Sequence, residues 1–222
     1  MNVLHDPKLE ALLDRLHARS DAQTAGMDIE RERRAHAQLP AEQAAANLKT
    51  YLADKLVALD RDKAAFCYQL CRAGKARRVV EIGTSYGVST LYLAAAVRDN
   101  GGGVVIATEY EPQKAEAARA HFAQAGLSRY IDLREGDLRQ TLQRIEGPVD
   151  FMLMDIWISM ARPALELVSP HLRDGAMIVT DNTEQHRQTY ADYFAFIADP
   201  ANRLRTMTLP FAGGLELTVR CG

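Results

Sequence analysis

The chain predicts an α/β fold: a doubly wound, mostly parallel seven-stranded sheet with helices on both faces, an antiparallel C-terminal hairpin strand and extra N-terminal helices. Three observations carry this. From residue 77 onward, short β-branched runs alternate five times with helix-patterned runs, the signature of βαβ units around a parallel sheet. The last two strand-like runs follow each other across Gly213 and Gly214, so at least one must be antiparallel. The first 75 residues carry helical periodicity alone.

Each element has its own signal. Leucines at helical spacing mark 9–18, and the pattern returns over 47–59 and 62–73. The polar, weakly periodic stretch between the first two reads as a cover or a surface helix. Within it Arg31, Arg33 and Arg34 alternate with Glu30 and Glu32, as on a solvated helix face. RRVVEIG is a strand ending in glycine, and STLYLAAAVRDN is a helix. VVIATEYE is a strand; PQKAEAARAHFAQAG is a helix with proline at its start and glycine at its end. YIDLREGD with LRQTLQRI, PVDFMLMD with SMARPALELVSPHL, and GAMIVTDN with HRQTYADYFAFIA repeat the alternation. RLRTMTLPF and GGLELTVRC are the closing strands. The expected organisation is one domain over 1–222, with a helical cover over 1–56 and the α/β core over 57–222.

Composition narrows the function. The chain is 222 residues long and 47% hydrophobic, enough for a full core. Its net charge is −2, which gives no footprint for nucleic acid. The three cysteines, Cys67, Cys71 and Cys221, form no C-x-x-C, which argues against a disulfide framework and a zinc site. Cys67 and Cys71 read as buried thiols on one helix face. The start, MNVLHDPKLE, lacks the pattern of a secretory leader, and no apolar run is long enough to cross a bilayer. The expectation is a soluble, cytoplasmic protein with no membrane partner.

VVEIGTSYGVS joins the first strand to its helix, where a doubly wound sheet binds its ligand. Gly83 and Gly87 let backbone approach that ligand. The pattern is E-x-G-x-x-x-G rather than the dinucleotide G-x-G-x-x-G, which argues against a nicotinamide oxidoreductase. Glu81 suits a cationic or zwitterionic ligand. Glu109, ending the second strand, can accept from both hydroxyls of a ribose. Singly, these residues fit a tight turn and a surface acid equally well; together, at the ends of the first two strands, they favour a nucleoside ligand. Asp155 ends PVDFMLMD, and Asp181 and Asn182 end AMIVTDN, so parallel neighbours would deliver three oxygen-bearing side chains to one edge. Two carboxylates there repel unless one is protonated or a cation lies between them. Oxygen donors suit Mg²⁺, with Mn²⁺ and Ca²⁺ compatible by ligand type. A helix cap at Asp155 and an Asp-Asn turn are the structural alternative.

VVEIGTSYGVSTLYLA and VIATEYEP resemble the first two motifs of class I S-adenosylmethionine-dependent methyltransferases, and the similarity runs from about residue 56 to the C-terminus. The chain looks most like the metal-dependent O-methyltransferases, the group of catechol and caffeoyl-CoA O-methyltransferase. The resemblance implies a Rossmann-like sheet with S-adenosyl-L-methionine as cofactor. Glu81 would face its sulfonium and amino acid end. Gly83, Thr84, Ser85, Gly87 and Ser89 would line the methionine part, with Leu59 touching it through backbone and Asp155 beside it. Glu109 and Tyr110 would hold the ribose, and Gly136, Asp137 and Leu138 the adenine. Asp155, Asp181 and Asn182 match the metal ligands, Mg²⁺ or another divalent cation. That metal would bind two adjacent oxygens of a small aromatic acceptor and lower the pKa of the attacking hydroxyl. Trp157 matches a tryptophan lining the substrate site; a core aromatic is the plainer reading. The resemblance also implies a homodimer.

One position departs from the family. Where the catechol enzyme carries a general-base lysine, this chain has Ile158, which accepts no proton. Three explanations compete: the metal alone suffices as activator, or His186, His36 or Lys63 serves, or the acceptor differs. The plain readings are a surface histidine for His186 and a helix-surface lysine for Lys63. A metal-independent or N-directed methyltransferase, and a non-catalytic S-adenosylmethionine-binding protein, are the competing functions.

Overall fold

A computed structural model describes residues 4–27 and 39–222. Eight α-helices and seven strands occur among them: α1 (Pro7–Thr24), α2 (Ala41–Leu52), α3 (Arg61–Ala73), β1 (Arg78–Ile82), α4 (Val88–Asp99), β2 (Val104–Glu109), α5 (Pro112–Gln124), β3 (Ile131–Glu135), α6 (Leu138–Thr141), β4 (Val149–Met154), α7 (Ile158–Val168), β5 (Leu172–Asp181), α8 (Ala191–Ala198), β6 (Leu204–Leu209) and β7 (Leu215–Arg220). His36 and the Arg31, Arg33, Arg34 group lie outside the described residues. No helix among the described residues is long and apolar enough to cross a membrane.

The sheet runs β3-β2-β1-β4-β5-β7-β6. The first five strands pair in parallel. β7 inserts antiparallel between β5 and β6, as the turn at Gly213 and Gly214 requires. Reversal of the winding direction at β1 opens a crevice beyond the carboxyl ends of β1 and β4.

Strand alternation divides the core in two. Val79, Phe151 and Leu153 face one side, where they meet α1, α3, α4 and α5. Val80, Met152 and Met154 face the other, against α6, α7 and α8. On α1, Asp6 caps the helix by accepting from the Leu9 amide, and Pro7 starts it. Its Leu9, Leu12, Leu13 and Leu16 are buried at i, i+3, i+4 and i+7, which docks α1 on the first core. Cys67 and Cys71 are buried there as well.

Three elements depart from the sequence pattern. The helix expected over 47–59 ends at Leu52. The amide of Leu56 donates to Gln23 Oε1 at 2.7 Å and that of Ala58 to Ser20 Oγ at 2.9 Å. With those donors captured by α1, the chain turns at Ala53 and Asp54 and continues over 55–60 as a strap without helix or strand. The helix expected from His186 begins only at Ala191, because the Glu184 and Gln185 amides both donate to the Gly213 carbonyl. The helix expected over 138–145 closes after one turn, at Thr141.

Candidate active site

β1 ends at Ile82, and the chain turns sharply beneath β4. Gly83 has φ +95°, and a Cβ there would lie 1.9 Å from the Asp155 carbonyl oxygen; only glycine permits this approach. Gly87 has φ +81°, and a Cβ there would strike the Phe122 ring at 2.4 Å. The Thr84 amide donates to the Thr108 carbonyl at 2.9 Å, which pins the turn to β2.

Glu81 is fully buried. It accepts from the hydroxyls of Thr84 (3.0 Å), Ser89 (2.7 Å) and Thr90. Burial raises its carboxyl to about 7, against the pull of the three hydroxyls and with a further push from Glu109. Through these hydroxyls Glu81 fastens the turn to α4. Glu109 accepts from the Ser85 amide at 2.6 Å and the Glu111 amide at 2.8 Å, which ties the end of β2 to the same turn. Its neighbour Tyr110 is exposed, with the Lys49 ammonium 3.6 Å from its ring centroid. The Gly136 amide donates to the Glu109 carbonyl. Asp137 caps α6 by accepting from the Arg139 amide, and Arg139 holds its carboxyl down at about 2. Leu138 is buried.

A cleft opens between this turn and the strap. Leu56, Val57, Ala58 and Leu59 form one wall; Gly83, Thr84, Ser85, Tyr86, Val88 and Ser89 form the other, with Asp155 at the junction. The Tyr86 hydroxyl donates to the Asp54 carbonyl at 2.9 Å, and Lys114 Nζ to that of Leu52 at 3.1 Å. Ser20, Gln23, Tyr86 and Lys114 thus hold the strap. Sequence reasoning did not single them out, although Ser20 lies four residues beyond Leu16, a polar residue continuing a buried leucine stripe.

The far side of the cleft is acidic. β4 and β5 pair in parallel with Met154 opposite Thr180, so Asp155 and Asp181 emerge at one edge. Burial raises the Asp155 carboxyl, and the charges of Asp181 and Glu81 add to this; Lys63 opposes them. Asp181 Oδ1 accepts from Lys63 Nζ at 2.7 Å, and Oδ2 from Asn182 Nδ2 at 2.9 Å. Asn182 is left-handed at φ +56°. Its Oδ1 faces Gly213, where a Cβ would come within 2.5 Å of it. Against a carboxylate only the amide's N–H₂ end is favourable, which fixes this orientation.

Lys63 is 2% exposed, not a helix-surface lysine; its ammonium also lies 3.1 Å from Asp60 Oδ2. Burial lowers its pKa, but Asp181 and Asp60 outweigh burial and raise it. Held between two carboxylates, the Lys63 ammonium is a donor in this arrangement. His186 is half-buried in the turn after Asn182. Trp157, just before α7, is 36% exposed, and Ile158 packs against the second core.

The glycine turn and the paired acids lie together at the switch in strand order. Residues 80–183 match the family model for a methyltransferase domain. The resemblance to the catechol and caffeoyl-CoA O-methyltransferase group holds. The chain is 33% identical over 127 residues to catechol O-methyltransferase of Mycobacterium tuberculosis, covering 57% of each chain. It is 30% identical over 132 residues to that of Niastella koreensis, covering 52% of this chain and 58% of the other. These matches span little more than half the length of either relative. Among solved structures, cofactor-bound Rv0187 from MTB superposes with a TM-score of 0.69 at 25% identity, covering 84% of this chain and 94% of that one. An O-methyltransferase from Bacillus cereus in complex with SAH superposes with a TM-score of 0.70 at 22% identity over 97% and 91%, a likeness of fold.

Proposed function

We propose that the protein transfers the methyl group of S-adenosyl-L-methionine to a hydroxyl of a small aromatic, catechol-like acceptor. The observation that carries this is the cleft between the strap and the Gly83–Ser89 turn, with Asp155 on its lining and Glu109 bonded to the Ser85 amide of the turn. The names of the curated relatives support the acceptor class. The SAH complex of the structural neighbour supports the cofactor. Backbone and hydroxyls of the turn would hold the methionine part, and Glu109 the ribose. The Asp155 carboxylate would face the cationic end. Trp157 offers an apolar wall to an aromatic ring. The acceptor oxygen would attack the sulfonium methyl in line as the carbon–sulfur bond breaks, with S-adenosylhomocysteine leaving and the hydroxyl proton lost. Alignment supplies most of the acceleration in such a transfer. His186 is the remaining described candidate for the base.

The resemblance also implies a divalent cation, Mg²⁺ by donor type, on Asp155, Asp181 and Asn182. The donor set as arranged does not fit one. Both Asp181 oxygens accept from nitrogen donors, and the Asn182 amide oxygen faces Gly213. The Lys63–Asp181 pair favours a second reading, metal-independent transfer on the same fold.

The test is S-adenosylhomocysteine release from S-adenosylmethionine with a panel of catechols, first with Mg²⁺ and then with excess EDTA. Turnover on a catechol is the expected result. S-adenosylmethionine binding without turnover on any hydroxylated aromatic would sink the O-methyltransferase reading and leave a binding protein or an N-directed enzyme.

A further inference from the structure

We propose that Lys63 is a built-in cation that takes the place of a divalent metal, so that the acceptor side of this cleft works metal-free. The inference rests on the methyltransferase reading above.

Lys63 stands where neither local preference nor burial would put it. It is the third residue of α3, in the first helical turn, where the helix dipole disfavours a positive charge. Lysine is almost never fully buried unless paired. Here it is 2% exposed, with Asp181 Oδ1 at 2.7 Å and Asp60 Oδ2 at 3.1 Å. Asp60 is largely exposed and Asp181 is buried, so the short bond to Asp181 is the desolvated one, across 118 residues of sequence. A side chain held there against its local preference is held by the site.

Asp181 and Asp60 flank the Lys63 ammonium. Asp155, on the cleft wall beside Gly83 and Ser85, is left to balance the cationic cofactor. A divalent ion touching Asp181 would have to evict the Lys63 ammonium or sit against it, with like charges in a site of low polarity. It would also have to turn the Asn182 amide away from Asp181. With the ammonium in place, β5 ends in a fixed carboxylate–amide corner under the acceptor. Lys63 is thus a positioning residue: it holds Asp181 and Asn182, and the acceptor's proton leaves by another group.

The experiment is a Mn²⁺ titration of the full chain bound to S-adenosylhomocysteine, followed by the electron paramagnetic resonance of free Mn²⁺. It needs no turnover, so it stands even if every acceptor fails. Wild type should show no site below millimolar Mn²⁺, and any turnover found should survive EDTA. Lys63→Met, checked for S-adenosylhomocysteine binding, should gain a site tighter by about two orders of magnitude, because two buried carboxylates then lack a cation. A merely structural lysine would give no such gain. Micromolar Mn²⁺ binding by wild type, or turnover abolished by EDTA, would overturn the proposal. So would a folded Lys63→Met protein that binds no Mn²⁺. If that variant no longer binds S-adenosylhomocysteine, the wild-type titration decides alone.

Discussion

The two sides of the cleft are tied by bonds of different reach. On the cofactor side, Glu81 draws its hydroxyl donors from at most nine residues away, and Glu109 reaches Ser85 across 24. On the facing side, where the strap and the paired acids lie, Gln23 and Ser20 reach the strap across 33 and 38 residues, and Lys63 reaches Asp181 across 118. The first side is a backbone turn whose shape a few glycines dictate. The second is a meeting of side chains from α1, α3, β4 and β5. A turn set by its own sequence is preorganised for one ligand; a wall assembled from distant pieces can change its occupant one piece at a time.

The largest effect should come from the turn. Gly83→Ala places a Cβ on the Asp155 carbonyl at a backbone angle that alanine resists. S-adenosylhomocysteine affinity should fall about 100-fold or more, roughly 3 kcal/mol, by calorimetry, with circular dichroism to confirm the fold. A loss under tenfold would break the distinction, since the turn would then yield as the other wall does. Glu109→Gln keeps the shape and removes the charge that holds two amides. About 10–100-fold weaker binding is expected, ~1.5–3 kcal/mol for charged hydrogen bonds. Equal binding by the variant would remove Glu109 from the cofactor site.

The same difference in reach explains what the sequence could show. Period-two strands and period-3.6 helices are local, so the order of elements and the hairpin were legible, as was the glycine turn. The strap was not. Residues 47–59 carry a helical pattern throughout, and nothing nearby shows that Gln23 and Ser20 take the amides of Leu56 and Ala58. Lys63 read as a surface lysine because its partner lies on β5. The three hydroxyls that Glu81 holds are likewise invisible as its partners until the turn closes on them. Parallel pairing of β4 and β5 was enough to foresee Asp155 and Asp181 at one edge, but not which oxygens would remain open.

Substitutions on the facing side sharpen the comparison from below. Trp157→Ala should raise KM for an aromatic acceptor about tenfold and leave S-adenosylhomocysteine affinity unchanged. A drop in both would mean that the two walls are not separable. Ser20→Ala with Gln23→Leu frees the strap from α1. At about 1 kcal/mol per hydrogen bond, cofactor affinity should fall several-fold, since Leu56 and Leu59 line that cleft. Unchanged binding would show that Tyr86 and Lys114 hold the strap unaided.

The smallest effect concerns α1 itself. His17 is buried on its inner face, with Nε2 3.3 Å from the Tyr92 hydroxyl. Burial depresses its pKa below 6.5, and Arg61 adds to this, while Asp21, Asp14 and Asp60 oppose it. The folded state thus prefers neutral His17. Its contribution to stability is present above pH 6.5 and is lost as pH falls through the depressed value. Glu81 has the opposite sign. Its carboxyl is raised from 4.5 to about 7, so its contribution is present below 4.5 and is lost as pH rises through about 7. Between those limits the two slopes oppose, and the raised carboxyls of Asp155 and Asp181 share the sign of Glu81, so wild type alone does not isolate His17. His17→Gln removes one of them. Urea unfolding of wild type and variant from pH 8 to 5 should therefore diverge on acidification, the variant gaining stability relative to wild type. Parallel curves would mean that α1 senses no proton at His17 and that the strap keeps its anchor across the range.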